Sequence, residues 1–459
     1  MIPASVRQYL DLESNRRKHL QELFELLRIP SVANNDDGHC GRAAKWLAAY
    51  LTRLGFQARV AGTAGKPNVL GELHVSDDVP TLLICNHYDV QPPEPLDLWQ
   101  TPPFEPVVRD GWICARGADD DKGQMFTHLM AIAAFQRAGG GCPVNVRILI
   151  EGEEEVGSPN LEEFLIANRE ALTADAAVIS DAAFFADGVP SITYSLRGLV
   201  YAELTIRGPG RDVHSGLYGG LIANPVNSLS AMIAAMHDRA GRVTIPGFYD
   251  DVLPLGDAER EAWAALPYDE AADREDLGVE ALAGGEKGLP PLERNWARPT
   301  LDCNGIVGGY TGAGSKTIIP AEATAKITMR LVPNQDPHRI AEGFKEFVRT
   351  HTPAGTKASA KVTAEARPVL LVTDSPAMAA AGRAVEEAFG RTPTFIRCGA
   401  TVPVTEMVQR LLGLDAVLMG FGMPEDRVHS PNERFRLDQL YNGAVAAAAF
   451  LHNLRQDLA

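Results

Sequence analysis

Apolar residues recur at three- and four-residue steps near the start of the chain. Ala43, Trp46, Leu47, Tyr50, Leu51 and Leu54 fall on one face at helical spacing, and the first 60 residues read as helices. The pattern then changes. Residues 80–85, 144–150, 176–180 and 416–419 are short continuous apolar runs, as expected of strands buried on both faces. Helical stretches lie between them at 123–137 and 160–171. Strands alternating with helices predict an α/β domain whose sheet is mixed but mostly parallel and flanked by helices. From residue 198 the texture differs. Residues 199–206 and 323–331 alternate apolar with polar, like half-buried strands, and helices are expected near 224–237 and 337–349. This predicts a smaller α+β domain at 198–371, inserted into a first domain built from 1–197 and 372–459. The stretch 245–300 is rich in acids, Gly and Pro. It reads as irregular with short helices, and no role is legible in it. The Ala-rich segment 440–454 reads as a terminal helix, and the chain shows no internal repeat.

Composition narrows the picture. A chain of 459 residues exceeds what one core usually supports, in keeping with two domains. No apolar run reaches the roughly 18 residues of a membrane span. The first 20 residues lack the apolar stretch of a secretory signal. The six cysteines are scattered and none forms a CxxC pair, so a reduced, cytoplasmic protein is expected, with neither a disulfide framework nor a cysteine zinc site. The formal net charge of −16 argues against nucleic acid and anionic membranes as partners. Bound cations would offset part of it.

The chemistry gathers at strand ends. The first apolar run leads into Asn86-His87-Tyr88-Asp89, the second into Glu151-Gly152-Glu153-Glu154-Glu155, the third into Asp181. Ligands of open α/β sheets bind at the carboxyl ends of strands, so these groups are candidates for one crevice. Hydrolysis of an amide needs a strong nucleophile and a stabilised oxyanion, and two metal ions about 3.5–4 Å apart supply both. His87 and Asp89, at i and i+2 on extended backbone, suit a ligand and its orienter. The plainer alternative is a loop histidine beside an acid. Asp120, in Arg116-Gly-Ala-Asp-Asp-Asp-Lys-Gly123, could bridge two metals, or could simply favour the start of the following helix. Among 151–155, one carboxylate could be a ligand and its neighbour a general base, since metal ions would relieve their mutual repulsion. Asp181 and His429 are weak signals taken singly.

Together these segments resemble the M20 metallopeptidase family, in its branch of zinc dipeptidases similar to carnosine dipeptidase. Eleven pieces match in order: NHYDVQP (86–92), Trp99 with PPFEP (102–106), RGADDDKG (116–123), EGEEEVGS (151–158), ISD (179–181), ITYSLRG (192–198), DVHSGLYGG (212–220), KTIIP (316–320), MRLVP (329–333), TVPVT (401–405) and HSPNE (429–433). The resemblance implies a catalytic domain interrupted by a lid and dimerisation domain. It implies two divalent ions, zinc first, with manganese or cobalt also suited to such donors. His87 and Asp181 would bind one ion, Glu155 and His429 the other, and Asp120 would bridge them. Asp89 would orient His87, and Glu154 would be the general base. His214 would reach from the partner subunit of a homodimer to the oxyanion. Arg330 and Thr317 would hold the carboxylate of a small peptide or amide substrate.

One departure stands out. Dipeptidases of this branch carry an Arg-Glu-Gly-Gly-Ser run whose Glu resembles the anchor of the substrate's free amine. Here the run is Arg397-Cys398-Gly399-Ala400-Thr401, and a thiol does not pair with an ammonium as a carboxylate does. Cys398, Gly399, Ala400 and Thr401 are therefore candidate substrate-binding residues. The expected activity is two-metal dipeptide hydrolysis. An N-acyl-amino-acid amidohydrolase, or a hydrolase of an unusual amide, is the alternative, and an inactive metal-binding scaffold the remote one.

Overall fold

A computed structural model describes residues 1–458 and resolves two compact units. The first comprises Met1–Tyr194, Leu371–Ile396 and Val402 onward; the second comprises Ser195–Leu370 and the five residues Arg397–Thr401.

The first unit is built on a large mixed sheet flanked by helices. From one edge its strands run Gln57–Ala61, Asn68–Leu73, Asn145–Glu151, Thr81–His87, Ala176–Ile179, Asp415–Leu418 and Ser191–Leu196. The four strands from Asn145–Glu151 to Asp415–Leu418 pair in parallel, and the strands outside them pair antiparallel. Burial explains the continuous apolar runs: in Ala176–Ile179 every residue is buried, and in Thr81–His87 all but the first. The helix Lys122–Ala134 is buried on every side, which its lack of a polar face anticipates. It packs against the long helix Leu437–Asp457, which is lined with alanines.

The expectation that the first 60 residues are helical fails at its end. Gln57–Ala61 is an edge strand antiparallel to Asn68–Leu73. Four of its five residues are exposed or half-exposed, so it carries none of the apolar signal that marks the inner strands.

The second unit is α+β. Its four-stranded antiparallel sheet has the order Thr300–Gly308, Glu322–Leu331, Gly198–Arg207, Lys357–Ala366. Alternate residues (Val200, Ala202, Leu204 and Ile206 on one strand, Ala325, Ile327 and Met329 on its neighbour) pack against Leu229, Met232, Phe344 and Phe347 of two helices. Those helices, Pro225–Ala235 and Pro337–His351, start where the sequence announces it. Asn224 and Asp336 accept backbone N–H bonds as caps, and Pro follows each at the first helical position. The stretch 245–300 forms the helices Asp257–Ala264, Glu270–Leu277 and Pro291–Trp296.

Among the described residues no helix is long and apolar enough to cross a membrane, and all six cysteines are free thiols.

Candidate active site

Three adjacent parallel strands deliver the first candidate residues to one edge of the sheet. Their register pairs His87 with Glu151 and Cys85 with Ile179, so His87, Glu151 and, two residues beyond the third strand, Asp181 emerge side by side. After Glu151 the chain turns through Gly152. A Cβ there would lie 2.2 Å from the Tyr88 hydroxyl, so only glycine lets the acidic turn pass this close. The turn then forms the short helix Glu154–Val156, whose first amides donate to the Asp89 carboxylate, Glu154 N–H at 3.2 Å and Glu155 N–H at 3.0 Å. Asp89 also faces His87: its carbonyl oxygen lies 3.1 Å from Nδ1 and its carboxylate 3.5 Å. Asp89 thus ties the histidine to the glutamate turn.

Asp120 arrives on the loop before the buried helix, and that loop is organised by the last residue of the HSPNE piece, for which the motif suggested no role. Glu433 is fully buried. It accepts Arg116 Nη1 at 2.7 Å and the backbone N–H groups of Gly117, Asp119 and Asp120 at 3.0–3.2 Å. Its strand neighbours Arg434–Arg436 pair with Trp112–Cys114, which fixes the carboxylate under the loop. Asp121, next along, accepts from Asn86 Nδ2 and His87 N–H and secures the strand end. Glu433→Ala would strand the buried Arg116 guanidinium without its counter-charge. The expected cost is about 3–5 kcal/mol, read as a lowered midpoint in urea unfolding.

The ligand-capable atoms form two overlapping groups, His87–Asp120–Asp181 and Asp120–Glu155–His429, each with atoms mutually within 4.8 Å. His87 Nε2 is 3.0 Å from Asp120 Oδ1 and 3.9 Å from Asp181 Oδ2. His429 Nε2 is 2.9 Å from Asp120 Oδ2 and 3.1 Å from Glu155 Oε2. Asp120 therefore turns one oxygen toward each histidine. Glu155 is further held by Gln91, whose side-chain amide donates at 2.6 Å. The Glu154 carboxyl makes no hydrogen bond within the described residues.

The donor set fits divalent cations. His87 Nε2 is buried and, although close to carboxylates, makes no hydrogen bond. Imidazole and carboxylate donors in this mixture suit zinc and its neighbours. Electrostatics point the same way. Burial raises the Glu154 carboxyl well above its usual range, and Asp181 and Asp120 add to the rise against the opposing His87. Burial, then Asp120, pushes Asp181 up to about 7. Burial, then Asp89, pushes Glu151 up to about 8. The Asp120 and Glu155 carboxylates hold His429 up to about 10. For the acids, folded values above the unfolded values near 4 mean that folding favours the protonated form. That contribution is fully present below about pH 4 and is lost as pH rises through 7–8. The metal-free protein is therefore expected to lose thermal stability between pH 5.5 and 8. A divalent ion, which favours the carboxylate form, should flatten that slope. Melting curves with and without chelator check this; a metal-free melting temperature that rises over the same range would contradict it.

The other candidates lie in the second unit. Arg330 Nη1 donates to Thr401 Oγ1 at 3.0 Å. Arg197, for which the motifs suggested no role, donates from Nε to Gly399 O at 2.9 Å and from its backbone to Ala400 O at 3.0 Å. The Ala400 N–H points at Cys398 Sγ, 3.4 Å away. Cys398, Gly399, Ala400, Thr401 and Arg330 thus form one cluster. His214 and Thr317 are brought together separately: His214 pairs with Ile318 across the strands Val213–His214 and Ile318–Ile319, and Thr317, just before the second strand, accepts the Ser215 N–H at 3.0 Å. His214 is exposed, and its Nδ1 accepts the Gly216 N–H at 3.0 Å, leaving Nε2 to carry the ring proton.

The mixed α/β fold thus carries a candidate two-ion metal site, built of histidines and carboxylates, at the carboxyl edge of its parallel strands. The chain belongs to Peptidase family M20/M25/M40, whose profile matches residues 83–453, and it is an enzyme that hydrolyses peptide bonds. It is 31% identical to the Cys-Gly metallodipeptidase DUG1 of Candida albicans, over 96% of this chain and 95% of that one. Among solved structures it resembles human carnosine dipeptidase 1, with a TM-score of 0.84, 29% identity and coverage of 99% and 100%. It also resembles an M20 family metallo-carboxypeptidase, Sso-CP2 from Sulfolobus solfataricus, with a TM-score of 0.88, 34% identity and coverage of 96% and 100%.

Proposed function

We propose that this protein is a dinuclear metallodipeptidase. The observation that carries the reading is the pair of ligand groups sharing Asp120, on a chain whose relatives are named as metallodipeptidases. His87 and Asp181 would hold one ion, Glu155 and His429 the other, with Asp120 between them. Zinc is proposed first, and manganese or cobalt would occupy the same donors. Bound ions would supply the positive charge that acidifies water and polarises the scissile carbonyl. Asp89 would keep the His87 ring and the Glu154 turn in register. Glu154 would accept the proton of the attacking water on its carboxylate and deliver it to the leaving nitrogen. Its raised affinity for a proton, and its lack of a competing hydrogen bond, suit that exchange. Arg330 and Thr317 would take the substrate's carboxylate, for which a guanidinium fork is well shaped.

Residues 198–371 are proposed as the lid and dimerisation domain, with 1–197 and 372–459 as the catalytic domain. His214 would act from the partner subunit of a homodimer. Support comes from exposed apolar side chains on the short helix Ser215–Tyr218, the turn after it and the outer strand, with Leu217, Leu221 and Val307 each at least 70% exposed. Six free thiols suit a cytoplasmic location.

A second reading, an N-acyl-amino-acid amidohydrolase or a hydrolase of an unusual amide on the same site, draws on Cys398 at the place of the expected amine anchor, and the dipeptidase relatives do not favour it. Hydrolysis of a panel of dipeptides, free and N-acylated, separates the two. Cleavage of free dipeptides, lost with chelator, supports the dipeptidase; cleavage of blocked substrates alone transfers the site to the second reading.

A further inference from the structure

We propose that the acidic segment 245–300 is a clamp that positions the 397–401 loop and, through it, Arg330. The inference rests on the reading of Arg330 as the substrate-carboxylate residue.

The loop is gripped from two sides within the second unit. On one side Arg197 bonds Gly399 O and Ala400 O, and its own carbonyl accepts Thr401 Oγ1 at 2.6 Å. On the other side the helices of the 245–300 segment hold Arg397 and Gly399. Arg397 Nε donates to Glu259 Oε1 at 2.7 Å, and its guanidinium lies 5.5 Å above the Trp263 ring. A guanidinium held at once by a carboxylate and an aromatic face has little freedom. Trp263 is itself tightly packed. It is 4% exposed and meets Trp296 edge-on at 5.1 Å. The two helices that carry these tryptophans are joined by Arg260, which donates to both oxygens of Glu293 at 3.1–3.2 Å. Finally, Asn295 closes on the loop backbone: a Cβ at position 399 would lie 2.7 Å from Asn295 Oδ1 and 2.9 Å from Arg197 Nη2. A side chain at 399 would push Asn295 and Arg197 aside.

The loop in turn presents Thr401 Oγ1 to Arg330 Nη1 at 3.0 Å. Glu259, Trp263 and Asn295 are therefore positioning residues. They belong to neither group of ligand-capable residues, and they act on the carboxylate-binding fork through one loop.

The test uses the full-length, metal-loaded protein with Glu259→Gln and Trp263→Leu, and Trp263→Phe as the conservative variant. Two readouts are taken: amide hydrogen exchange at 398–401, and KM and kcat for a free dipeptide against its C-terminal amide. Loss of the clamp should speed exchange in the loop and raise KM for the free dipeptide about tenfold, with kcat and metal content little changed. The preference for the free carboxylate over the amide should shrink, and Trp263→Phe should restore most of it. Unchanged loop exchange and unchanged KM in both disruptive variants would overturn the proposal. So would a joint fall of kcat and metal content, which marks general damage. If the wild type cleaves no free dipeptide, the functional reading fails, and loop exchange still decides the clamp.

Discussion

Glu154→Gln is expected to lower kcat for dipeptide hydrolysis by about 100- to 10,000-fold while the protein keeps its metal. Glutamine preserves the shape of the side chain and removes its ability to hold a proton. Glu154 lies outside both ligand groups, so the ions should stay. Its position is set by the backbone bonds of residues 154 and 155 to Asp89, which the substitution leaves intact. Burial is the main cost of ionising this carboxyl, opposed by His87 and added to by Asp181, Asp120 and Glu151, and a neutral amide escapes that cost, so thermal stability of the metal-free protein should hold or rise. Turnover and metal content measured on the same preparation check the assignment. Loss of metal, or activity near that of the wild type, would remove Glu154 from the role of general base.

The second large effect is at Asp120. It is the one residue common to both ligand groups. Asp120→Ala should weaken metal binding at both positions together, by more than the 10- to 100-fold typical of losing an outer-shell partner. Hydrolysis should fall below detection at micromolar metal. Asp181→Ala, by contrast, touches one group only and should leave one ion bound tightly. Competition titration of both variants against a chromogenic chelator separates the two patterns. Retention of one tight ion in Asp120→Ala would show that the carboxylate does not join the two groups.

Much of this architecture was legible because inner strands of a parallel sheet are buried on both faces and write continuous apolar runs. Residues 80–85, 144–150, 176–180 and 416–419 lie in or against central strands for that reason. The same logic explains the misses. Gln57–Ala61 and Thr300–Gly308 are edge strands, largely polar or exposed, and no periodicity betrays them. The strand ends that bear His87, Glu151 and Asp181 could be placed on one edge because parallel strands end together. What could not be read is how distant pieces lock. Glu433 lies more than 300 residues from the four donors it satisfies, and one glutamate in a polar loop carries no local sign of that task. Arg197 and the 245–300 helices are similar cases. Their contribution is a set of contacts with residues 397–401, visible only once the chain is folded.

Metal dependence is the most direct point of attack. The protein is stripped with chelator, then titrated with zinc or manganese, and bound metal and free-dipeptide hydrolysis are followed in the same samples. Activity absent from the stripped protein, and rising to a plateau as two ions bind per chain, is the predicted result. Hydrolysis that persists in the stripped protein would contradict the account.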